Sequence, residues 1–534
     1  MLDHFNSNSS FIFNESKKSF DDLLKDIYCF SKHLKSQDID IFTTNSYLFM
    51  VAFFGAILNK SRPYLLSYNL PNNDRVFFDD DAISAVLSSN CGTFDINFMK
   101  LDLDSVFFIQ TSGSSGDSKN IEKTINQMIL ESAFLTNHFD IKSDSIIISS
   151  ISHQYLFGLT FKIFVALKSG ANIHCQELNY PELVSASISN LKNHKIIFLS
   201  SPVLLDCLSK KNNIDEFNNI ATIFTAGSKL DKHTRENLNK LIKSQIIEIY
   251  GSSETGVIAS NIDGNFVAFP SVKISIDDKS RLIVSSPWQK IGDKSEFLSN
   301  DCVEIKGDRL KILGRFDRII KLHDKRVSLD FLENTIKKSS IIEDIAISQD
   351  NRYKRLAAIL VLNKEGKKLF RNKGKKEIVK QIKTLITKEF NSKLRYFYIR
   401  SKLPKNTNGK LPKSAFLDSI NARIKPEFKL ISKDLDSIKL SAYIDEGSFY
   451  FEGHFLDFPL VPGFIQLGFV LDSIKKHLGF GYENIQQIEA IKFMNFLRPC
   501  DEAILEIKTI ENKISFKIFA NNKECANGRL RIHI

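Results

Sequence analysis

A short run of glycine and hydroxyl residues, Thr111–Lys119 (TSGSSGDSK), has the composition of an anion-binding loop. It follows the strand-forming stretch Val106–Gln110 and precedes Ile121–Phe134, where apolar residues recur at helical intervals. Free backbone N–H groups and hydroxyls in such a turn can bind phosphate. The spacing does not fit a Walker P-loop, which needs Gly, four residues and then Gly-Lys-Ser/Thr. The flanking elements also argue against a flexible linker, so the sequence predicts a phosphate-binding turn between a strand and a helix.

This stretch resembles the phosphate-binding signature of the adenylate-forming superfamily, which includes acyl-CoA synthetases, acyl-AMP ligases and peptide-synthetase adenylation domains. Further segments resemble motifs of that family and follow its order over about residues 1–425. They are Ser152–Gly158 (SHQYLFG), Thr225–Leu230 (TAGSKL), Ile249–Gly256 (IYGSSETG), Asp301, Gly314–Lys321 (GRFDRIIK) and Leu403–Lys410 (LPKNTNGK). An ordered series of this kind leaves little room for chance.

The resemblance implies a role for each matching residue. ATP or AMP would contact Thr111, Ser112, Gly113, Ser114, Ser115, Gly116, Lys119, Gly227, Tyr250, Gly251, Ser253, Asp301 and Arg315. His153 and Gly158 would lie at the acyl pocket. Glu254 would hold Mg²⁺, Asp317 would be a hinge, and Lys410 would be catalytic.

The implied reaction joins a carboxylate to the α-phosphorus of ATP and releases pyrophosphate. Because the carboxylate and the triphosphate repel each other, positive charge and N–H donors must collect around them. Mg²⁺ on Glu254 and the charge of Lys410 would serve this purpose. By resemblance, a small mobile lid carries Lys410, and the acyl group passes on to a thiol of CoA or of the phosphopantetheine arm of a carrier protein.

From about residue 430, short alternating runs predict strands, and a helical pattern begins at Pro462–Gly463. The segment Phe451–Asp472 (FEGHFLDFPLVPGFIQLGFVLD) resembles the active-site segment of hot-dog-fold 3-hydroxyacyl-carrier-protein dehydratases, and Ile491–Asp501 (IKFMNFLRPCD) resembles a later strand of that family. The similarity extends especially to the dehydratase-like proteins of aryl polyene lipid pathways. The resemblance also implies a homodimer, since hot-dog domains usually pair.

Dehydration requires a base at C2 and an acid for the departing hydroxyl. His454 would be the catalytic base, but the carboxylate expected on the core helix falls at Gly468, and neither Gln466 nor Asp472 obviously replaces it. Three interpretations stay open: an active dehydratase with an unfamiliar acid, a thioesterase-like domain, and a non-catalytic acyl-binding domain.

Composition sets further limits. The chain has 534 residues, 43% of them hydrophobic, and a net charge of +11, a modest excess that favours a solvated surface over nucleic-acid binding. Eight Lys or Arg residues and one Glu fall within Gly366–Lys383, so this surface is a candidate for docking an acidic acyl carrier protein through Lys367, Lys368, Lys375 and Lys376.

Seven scattered cysteines predict reduced thiols and a cytoplasmic location, with no secretory signal. The apolar run Tyr47–Leu58 is too short for a membrane span and predicts a buried helix.

The sequence thus predicts a multidomain α/β and α+β protein. Residues 1–314 would form the large adenylation domain, 315–425 the lid, and 430–534 a hot-dog domain with an antiparallel sheet around a central helix. The predicted function is ATP-dependent activation of an aryl or fatty carboxylic acid and transfer to a thiol, coupled to a dehydratase-like domain in lipid or aryl polyene biosynthesis. An acyl-binding scaffold with both sites degraded is the alternative of a different class.

Overall fold

The computed structural model of the chain describes residues 4–533, apart from 14–15, 36, 68, 70, 73, 90, 92, 113–117, 192–193, 211–214, 263–264, 290–295, 323–324, 351–354, 387–393, 406–410 and 454. For residues 13, 112, 118, 215–216, 317, 319–322 and 325–327 it describes the backbone alone. The chain divides into two compact units, one of Met1–Phe316 with Lys405–Pro412 and one of Asp317–Pro404 with Lys413–Ile534. The first division falls inside the GRFDRIIK motif, and the second unit contains both the expected lid and the C-terminal domain.

The first unit is built on two sheets. The larger has thirteen strands and contains a parallel centre in which Ser145–Ser149, Lys195–Ser200, Ile220–Thr225 and Gln245–Ser252 are neighbours. Its other strands are Lys273–Ile276, Arg281–Ser285, Phe297–Lys306, Arg309–Arg315, Phe266–Ala268, Gly256–Asn261, Asn172–Glu177, Ser10–Phe13 and Ser16–Ser19. The smaller sheet has five strands, in the order Val76–Phe78, Asp38–Ile41, Arg62–Leu65, Val106–Ser112 and Ser118–Thr124.

Helices cover both sheets of the first unit. They are Phe20–Lys32, Ser46–Leu58, Asp80–Leu87, Ile125–His138, Leu156–Gly158, Ala166–Ser169, Pro181–Asn190, Pro202–Ser209 and Lys232–Leu241, with a π-helical turn at Leu159–Val165 and 3₁₀ turns at Ile96–Phe98 and Asp215–Asn219. The helix Ser46–Leu58 is buried almost throughout, as its uniformly apolar sequence predicts, and Asn45 caps it by accepting from the N–H of Tyr47. Among the described residues, no helix is long and apolar enough to cross a membrane.

The glycine-rich loop sits in a different setting from the one predicted. Val106–Ser112 pairs antiparallel with a second strand, Ser118–Thr124, so the loop joins the two strands of a hairpin. The helix begins only at Ile125, where Thr124 and Gln127 form a capping box. The prediction that the helix begins near Ile121 is therefore wrong. Ile121, the first apolar residue of that segment, lies in a strand whose backbone groups pair with Val106–Ser112.

The lid part of the second unit has a hairpin, Ile319–Leu322 with Lys325–Ser328, and a three-stranded sheet of Ile342–Asp350, Arg355–Leu362 and Leu394–Ile399. Its helices are Leu329–Lys337, Lys364–Leu385 and Lys413–Asn421, and a 3₁₀ turn at Phe316–Arg318 spans the division between the units.

The C-terminal part is an antiparallel sheet of six strands, in the order Lys429–Lys433, Ser437–Tyr443, Glu502–Ile510, Lys513–Ala520, Lys523–Ile532 and Ile485–Phe493. One long helix, Gly463–Leu478, buries Phe469, Val470 and Ile474 in its core. Short 3₁₀ turns lie at Phe449–Phe451 and Tyr482–Asn484. The hot-dog fold is therefore confirmed, as is the helix beginning at Pro462–Gly463.

Charged contacts tie the lid to the C-terminal domain within the second unit. Arg371 of the helix Lys364–Leu385 pairs with Asp501, whose side chain is 1% exposed, at 2.5 Å. Lys367 pairs with the buried carboxylate of Glu446 at 2.8 Å. The helix kinks at Gly374 (φ +68°), where a Cβ would collide with the carbonyl oxygen of Leu456. The two parts are therefore joined by ion pairs and by a close approach of their backbones.

One expectation about the cysteines is wrong. Cys29 and Cys91 form a disulfide, with Cα atoms 4.8 Å apart, whereas Cys175, Cys207, Cys302, Cys500 and Cys525 are free. Cys29 lies on the helix Phe20–Lys32, and Cys91 follows the helix Asp80–Leu87. The pair is 62 residues apart and has no spacing signature, so the sequence alone does not reveal it.

Replacing Arg371 by Ala should loosen the C-terminal domain by about 2 kcal/mol, because a buried carboxylate would lose a charged donor. Hydrogen–deuterium exchange in Glu502–Ile510 should rise. Unfolding followed by the fluorescence of Trp288, the only tryptophan of the chain, should not change, because Trp288 lies in the first unit. Lys380→Ala, on an exposed side of the same helix, is the matched control. Unchanged exchange in the Arg371 variant would contradict the role given to this pair.

Candidate functional site

A cavity of about 180 Å³ in the first unit brings together residues from several distant motifs. Thr111, Gly227, Gly251 and Ser253 all line it. The lining also includes apolar and aromatic side chains, among them Ile151, Tyr155, Leu156, Phe157 and Phe161. A pocket lined by both polar and apolar groups suits a ligand with a polar reacting group and an apolar body.

Part of the polar lining comes from a tight turn after the strand Gln245–Ser252. Ser252 and Thr255 exchange hydrogen bonds through their backbone N–H groups and hydroxyls. Gly251 lies so close to the carbonyl oxygen of Gly256 that a Cβ would come within 2.3 Å of it. The turn presents Ser253 to the cavity and leaves Glu254 exposed to solvent.

Two buried charged residues hold this turn from either end. Lys123 donates to the backbone carbonyl of Glu254 at 3.3 Å, and Glu131 accepts from the N–H of Val257 at 2.7 Å. Glu131 also accepts from Thr160 at 3.1 Å and lines the cavity. Neither residue is predicted from the sequence. In the sequence they are one strand lysine and one helix glutamate, with no motif to mark them.

Burial acts on these two groups in opposite directions. It lowers the pKa of the Lys123 ammonium and raises the pKa of the Glu131 carboxyl, in each case by penalising the charged form. The charge of each residue partly reverses the shift of the other. Neither residue is therefore suited to this position without its neighbour.

A second polar group forms where two further predicted residues meet. The hydroxyl of Tyr250 donates to Asp301 at 2.6 Å, and Asp301 pairs in register with Arg315 on the adjacent strand. Burial, followed by the charge of Asp301, raises the pKa of Tyr250. The three residues expected at the adenine and ribose are thus neighbours, although their motifs lie up to 65 residues apart.

His153 and Gly158 have positions that differ from their predicted roles. His153 is fully buried, and its ring nitrogens contact Thr43 at 2.8 Å and Ser46 at 3.1 Å. Burial lowers the pKa of His153, which favours its neutral form. Gly158 allows a close approach to the carbonyl of Ser152. Neither is among the described residues that line the cavity.

Several predicted site residues lie outside the described part of the chain. They are Gly113, Ser114, Ser115, Gly116, Lys410 and His454, together with the side chains of Ser112 and Asp317. Thr111 donates to the carbonyl of Lys119 across the hairpin, and Lys119 is exposed. The described residues that flank Lys410, namely Lys405, Leu411 and Pro412, group with the first unit rather than with the lid.

In the C-terminal domain, Gly453 has a left-handed backbone (φ +87°) directly before His454 in the sequence. Gly468 faces open space, so a side chain could be accommodated there. Asp472 accepts a hydrogen bond from Tyr482, and the side-chain nitrogen of Gln466 donates to the carbonyl of Val461. Both candidate replacements for the missing acid therefore have other contacts.

Comparison with known families agrees with this division. The AMP-binding enzyme family matches residues 97–283, and the ApeI dehydratase family matches residues 430–529. The chain joins an AMP-binding ligase part to an ApeI-like dehydratase part.

A curated relative of the ligase part is a D-alanine–D-alanyl carrier protein ligase from Lactococcus lactis, 24% identical over 58% of this chain and 69% of the relative. Among solved structures, ATP-bound MatB from Rhodopseudomonas palustris superposes with a TM-score of 0.65 at 14% identity, covering 78% of this chain and 96% of that one. O-succinylbenzoate coenzyme A synthetase from Bacillus subtilis, solved with ATP and magnesium, superposes with a TM-score of 0.63 at 15% identity. The match covers 76% of this chain and 95% of that one. These structural neighbours establish the adenylate-forming fold.

Lys123 and Glu131 of the AMP-binding part should be energetically coupled. We expect Lys123→Met and Glu131→Gln each to cost about 3 kcal/mol, because each leaves one buried charge without its neighbour. The double variant should cost clearly less than the sum. Urea unfolding followed by Trp288 fluorescence suits the measurement, since the Trp288 indole donates to the carbonyl of Val257 in the same turn.

Lys119→Met, at an exposed position on the same strand as Lys123, is the control and should change stability by less than about 0.5 kcal/mol. Strict additivity of the two single variants would show that Lys123 and Glu131 do not act as a pair.

Proposed function

We propose that the first unit and the lid activate a carboxylic acid with ATP as an acyl-adenylate and pass the acyl group to a thiol. One observation carries this proposal. Thr111, Gly227, Gly251 and Ser253, from three separate motifs, line one cavity whose lining also includes apolar side chains. An acyl-binding scaffold without catalysis would not need these polar groups.

The residues of the turn fit the nucleotide and its metal. Among the described residues, no three His, Cys, Asp or Glu side chains cluster as a metal cage. Mg²⁺ does not require one, because it is commonly held by one or two carboxylates, water and substrate phosphates. Glu254 would hold Mg²⁺, which would neutralise charge that develops on the departing pyrophosphate. Ser253 would bind the α-phosphate, and Asp301 and Arg315 would bind the ribose.

Lys410 would supply the remaining positive charge beside the attacking carboxylate. The flanking residues Lys405 and Pro412 belong to the first unit, although the chain before and after them belongs to the second. This membership supports delivery of Lys410 to the ligase cavity. Asp317 would serve as the hinge, because the main chain passes from one unit to the other between Phe316 and Asp317.

The cavity favours a compact aryl acid over a long fatty acid. Its volume of about 180 Å³ is close to that of an apolar cavity of ~150 Å³ that accommodates benzene. Phe157 and Phe161 offer ring contacts, and Glu131 adds a hydrogen-bonding group to the wall. An aromatic acid with a hydroxyl substituent would contact the two phenylalanine rings and form a hydrogen bond with Glu131.

The acceptor would be the phosphopantetheine thiol of an acidic acyl carrier protein, with CoA as the alternative. The relatives named as carrier protein ligases support this choice. Fewer lysines are available for docking than the four that the sequence indicated. Lys367 is paired with Glu446, and Lys375 is half-buried, whereas Lys368 and Lys376 are exposed.

For the ApeI-like domain, the proposal is action on a 3-hydroxyacyl thioester in lipid or aryl polyene biosynthesis, with His454 as base. A thioesterase-like or purely acyl-binding role is the alternative, favoured by the absence of a carboxylate at Gly468.

We further propose that two chains pair through the edge of this domain. The strand Ile485–Phe493 has one described neighbour, Lys523–Ile532, and forms the end of the sheet. Its Phe493 and the nearby Phe496 are 50% and 61% exposed, and Phe464 of the central helix is 66% exposed. An open strand edge beside exposed aromatic rings suits pairing with a second copy.

ATP-dependent pyrophosphate release should occur with hydroxybenzoates or hydroxycinnamates and be weak with long fatty acids. Lys410→Ala should reduce acyl-adenylate formation by about 10²-fold or more, because it removes charge at the developing transition state. Lys402→Ala, at an exposed position nearby, is the control. Full adenylate formation by the Lys410 variant would refute the ligase mechanism.

Phe493→Asp combined with Phe496→Asp should convert a dimer to a monomer in sedimentation velocity, because charge would enter the apolar contact. Ile510→Asp places a charge at another exposed apolar position of the same sheet and should leave the dimer intact. A wild-type chain that sediments as a monomer at micromolar concentration would refute pairing.

A further inference from the structure

A second and larger cavity lies wholly within the second unit, where the lid meets the ApeI-like domain. Its volume is about 560 Å³, within the usual range for small-molecule sites. One wall comes from the lid helix Lys364–Leu385 and the strand Leu394–Ile399, and the other comes from residues 446–448, 451–453, 456 and 459 of the ApeI-like domain. Neither part forms this cavity alone.

Part of the lining is apolar and comes from both sides. Phe370 and Val379 belong to the lid helix, whereas Phe451 and Leu456 belong to the ApeI-like domain. The close approach of Gly374 to the Leu456 carbonyl fixes the separation of the two walls. Gly453, which directly precedes His454 in the sequence, also lines the cavity.

Cationic side chains stand beside this apolar part. Lys375, Lys376 and Arg395 line the cavity, and all three come from the lid. Lys375 is half-buried and forms no ion pair with any residue that the structure describes; its nitrogen lies 5.8 Å from the centre of the Tyr398 ring. Burial lowers the pKa of Lys375, and the charge of Glu452 offsets this only in part.

Glu452 also lines the cavity and is exposed. Two further charged residues of the lining are held by other parts of the protein. Arg400 donates to the carbonyls of Ser419, Ala422 and Ile399, and Glu446 is paired with Lys367. A cation that is partly removed from water without an anion is unfavourable. Because Glu452 offsets this cost only in part and Lys376 adds a second cation, the excess positive charge points to an anionic ligand that also has an apolar portion.

We propose that this cavity binds an acyl-phosphopantetheine thioester, with the phosphate at Lys375 and Lys376 and the acyl group against Phe370 and Leu456. The choice of ligand rests on the proposed function, which makes or uses such thioesters. The same chemistry is presented by an acyl-CoA and by the loaded arm of a carrier protein. The ligase lid would thus supply the phosphate-binding side of a thioester site on the dehydratase part.

The test is calorimetric titration of the full chain, with a hydrolysis-resistant acyl-sulfamoyl adenosine present at saturation to occupy the ligase cavity. Octanoyl-CoA and octanoyl-pantetheine, which lacks the phosphate, are the two probes. Lys375→Ala with Lys376→Ala should weaken octanoyl-CoA by about tenfold or more, equivalent to ~1.4 kcal/mol. The same change should alter octanoyl-pantetheine binding less than about twofold, since that probe has no phosphate to lose a contact.

Val379→Trp should weaken both probes by filling the apolar part, and Lys380→Ala, at an exposed position of the same helix outside the cavity, should affect neither. An octanoyl-loaded carrier protein is titrated in parallel with octanoyl-CoA to show which of the two presents the thioester. Weaker binding of either one by the Lys375/Lys376 variant supports the site. Equal effects on the two octanoyl probes, or no effect of the lysine pair, would overturn it. Pyrophosphate release, measured on the same variants, separates failure of this site from failure of the ligase.

Discussion

The candidate ligase site depends on two charges buried beneath one turn. Lys123 holds the carbonyl of Glu254, and Glu131 holds the N–H of Val257, so the turn that carries Ser253 and Glu254 is fixed at both ends. Charged groups are costly to bury and are useful where they impose one geometry on their surroundings. The same two residues connect the hairpin of the glycine-rich loop, the helix after it and the turn, since Lys123 lies on the second hairpin strand and Glu131 on the helix.

A comparable arrangement joins the lid to the ApeI-like domain. The buried carboxylates of Asp501 and Glu446 each receive a cation from the helix Lys364–Leu385. Asp501 also accepts from the N–H of Arg498 and from Asn521, which ties it to its own domain. These contacts lie within one compact unit, so the movement about Asp317 proposed above would carry the lid and the ApeI-like domain together. The two activities would then be mechanically linked through a single helix.

The features that were predicted correctly are those that depend on residues close together in the sequence. Alternating runs near the C-terminus gave the strands of the hot-dog domain, and the apolar run Tyr47–Leu58 gave a buried helix. The predictions were wrong or incomplete where the local structure depends on contacts between residues far apart in the sequence. The strand Ser118–Thr124 exists because Val106–Ser112 pairs with it, and the Cys29–Cys91 bond exists because two helices bring its ends together. His153 stands in a family-like motif, yet its ring is occupied by Thr43 and Ser46. Lys123 and Glu131 carry no motif, so only the folded chain reveals their role.

The central proposal is that the cavity of the first unit holds the acid, while the AMP part of the same mixed anhydride extends past Ser253 to Asp301. The most direct measurement is a crystal structure of the chain with a hydrolysis-resistant aryl-sulfamoyl adenosine. In that structure the aryl ring should lie between Phe157 and Phe161 and beside Glu131. The sulfamate should lie at Ser253 and the ribose at Asp301. A ligand found with its ring outside this cavity, or with its ribose remote from Asp301, would contradict the account.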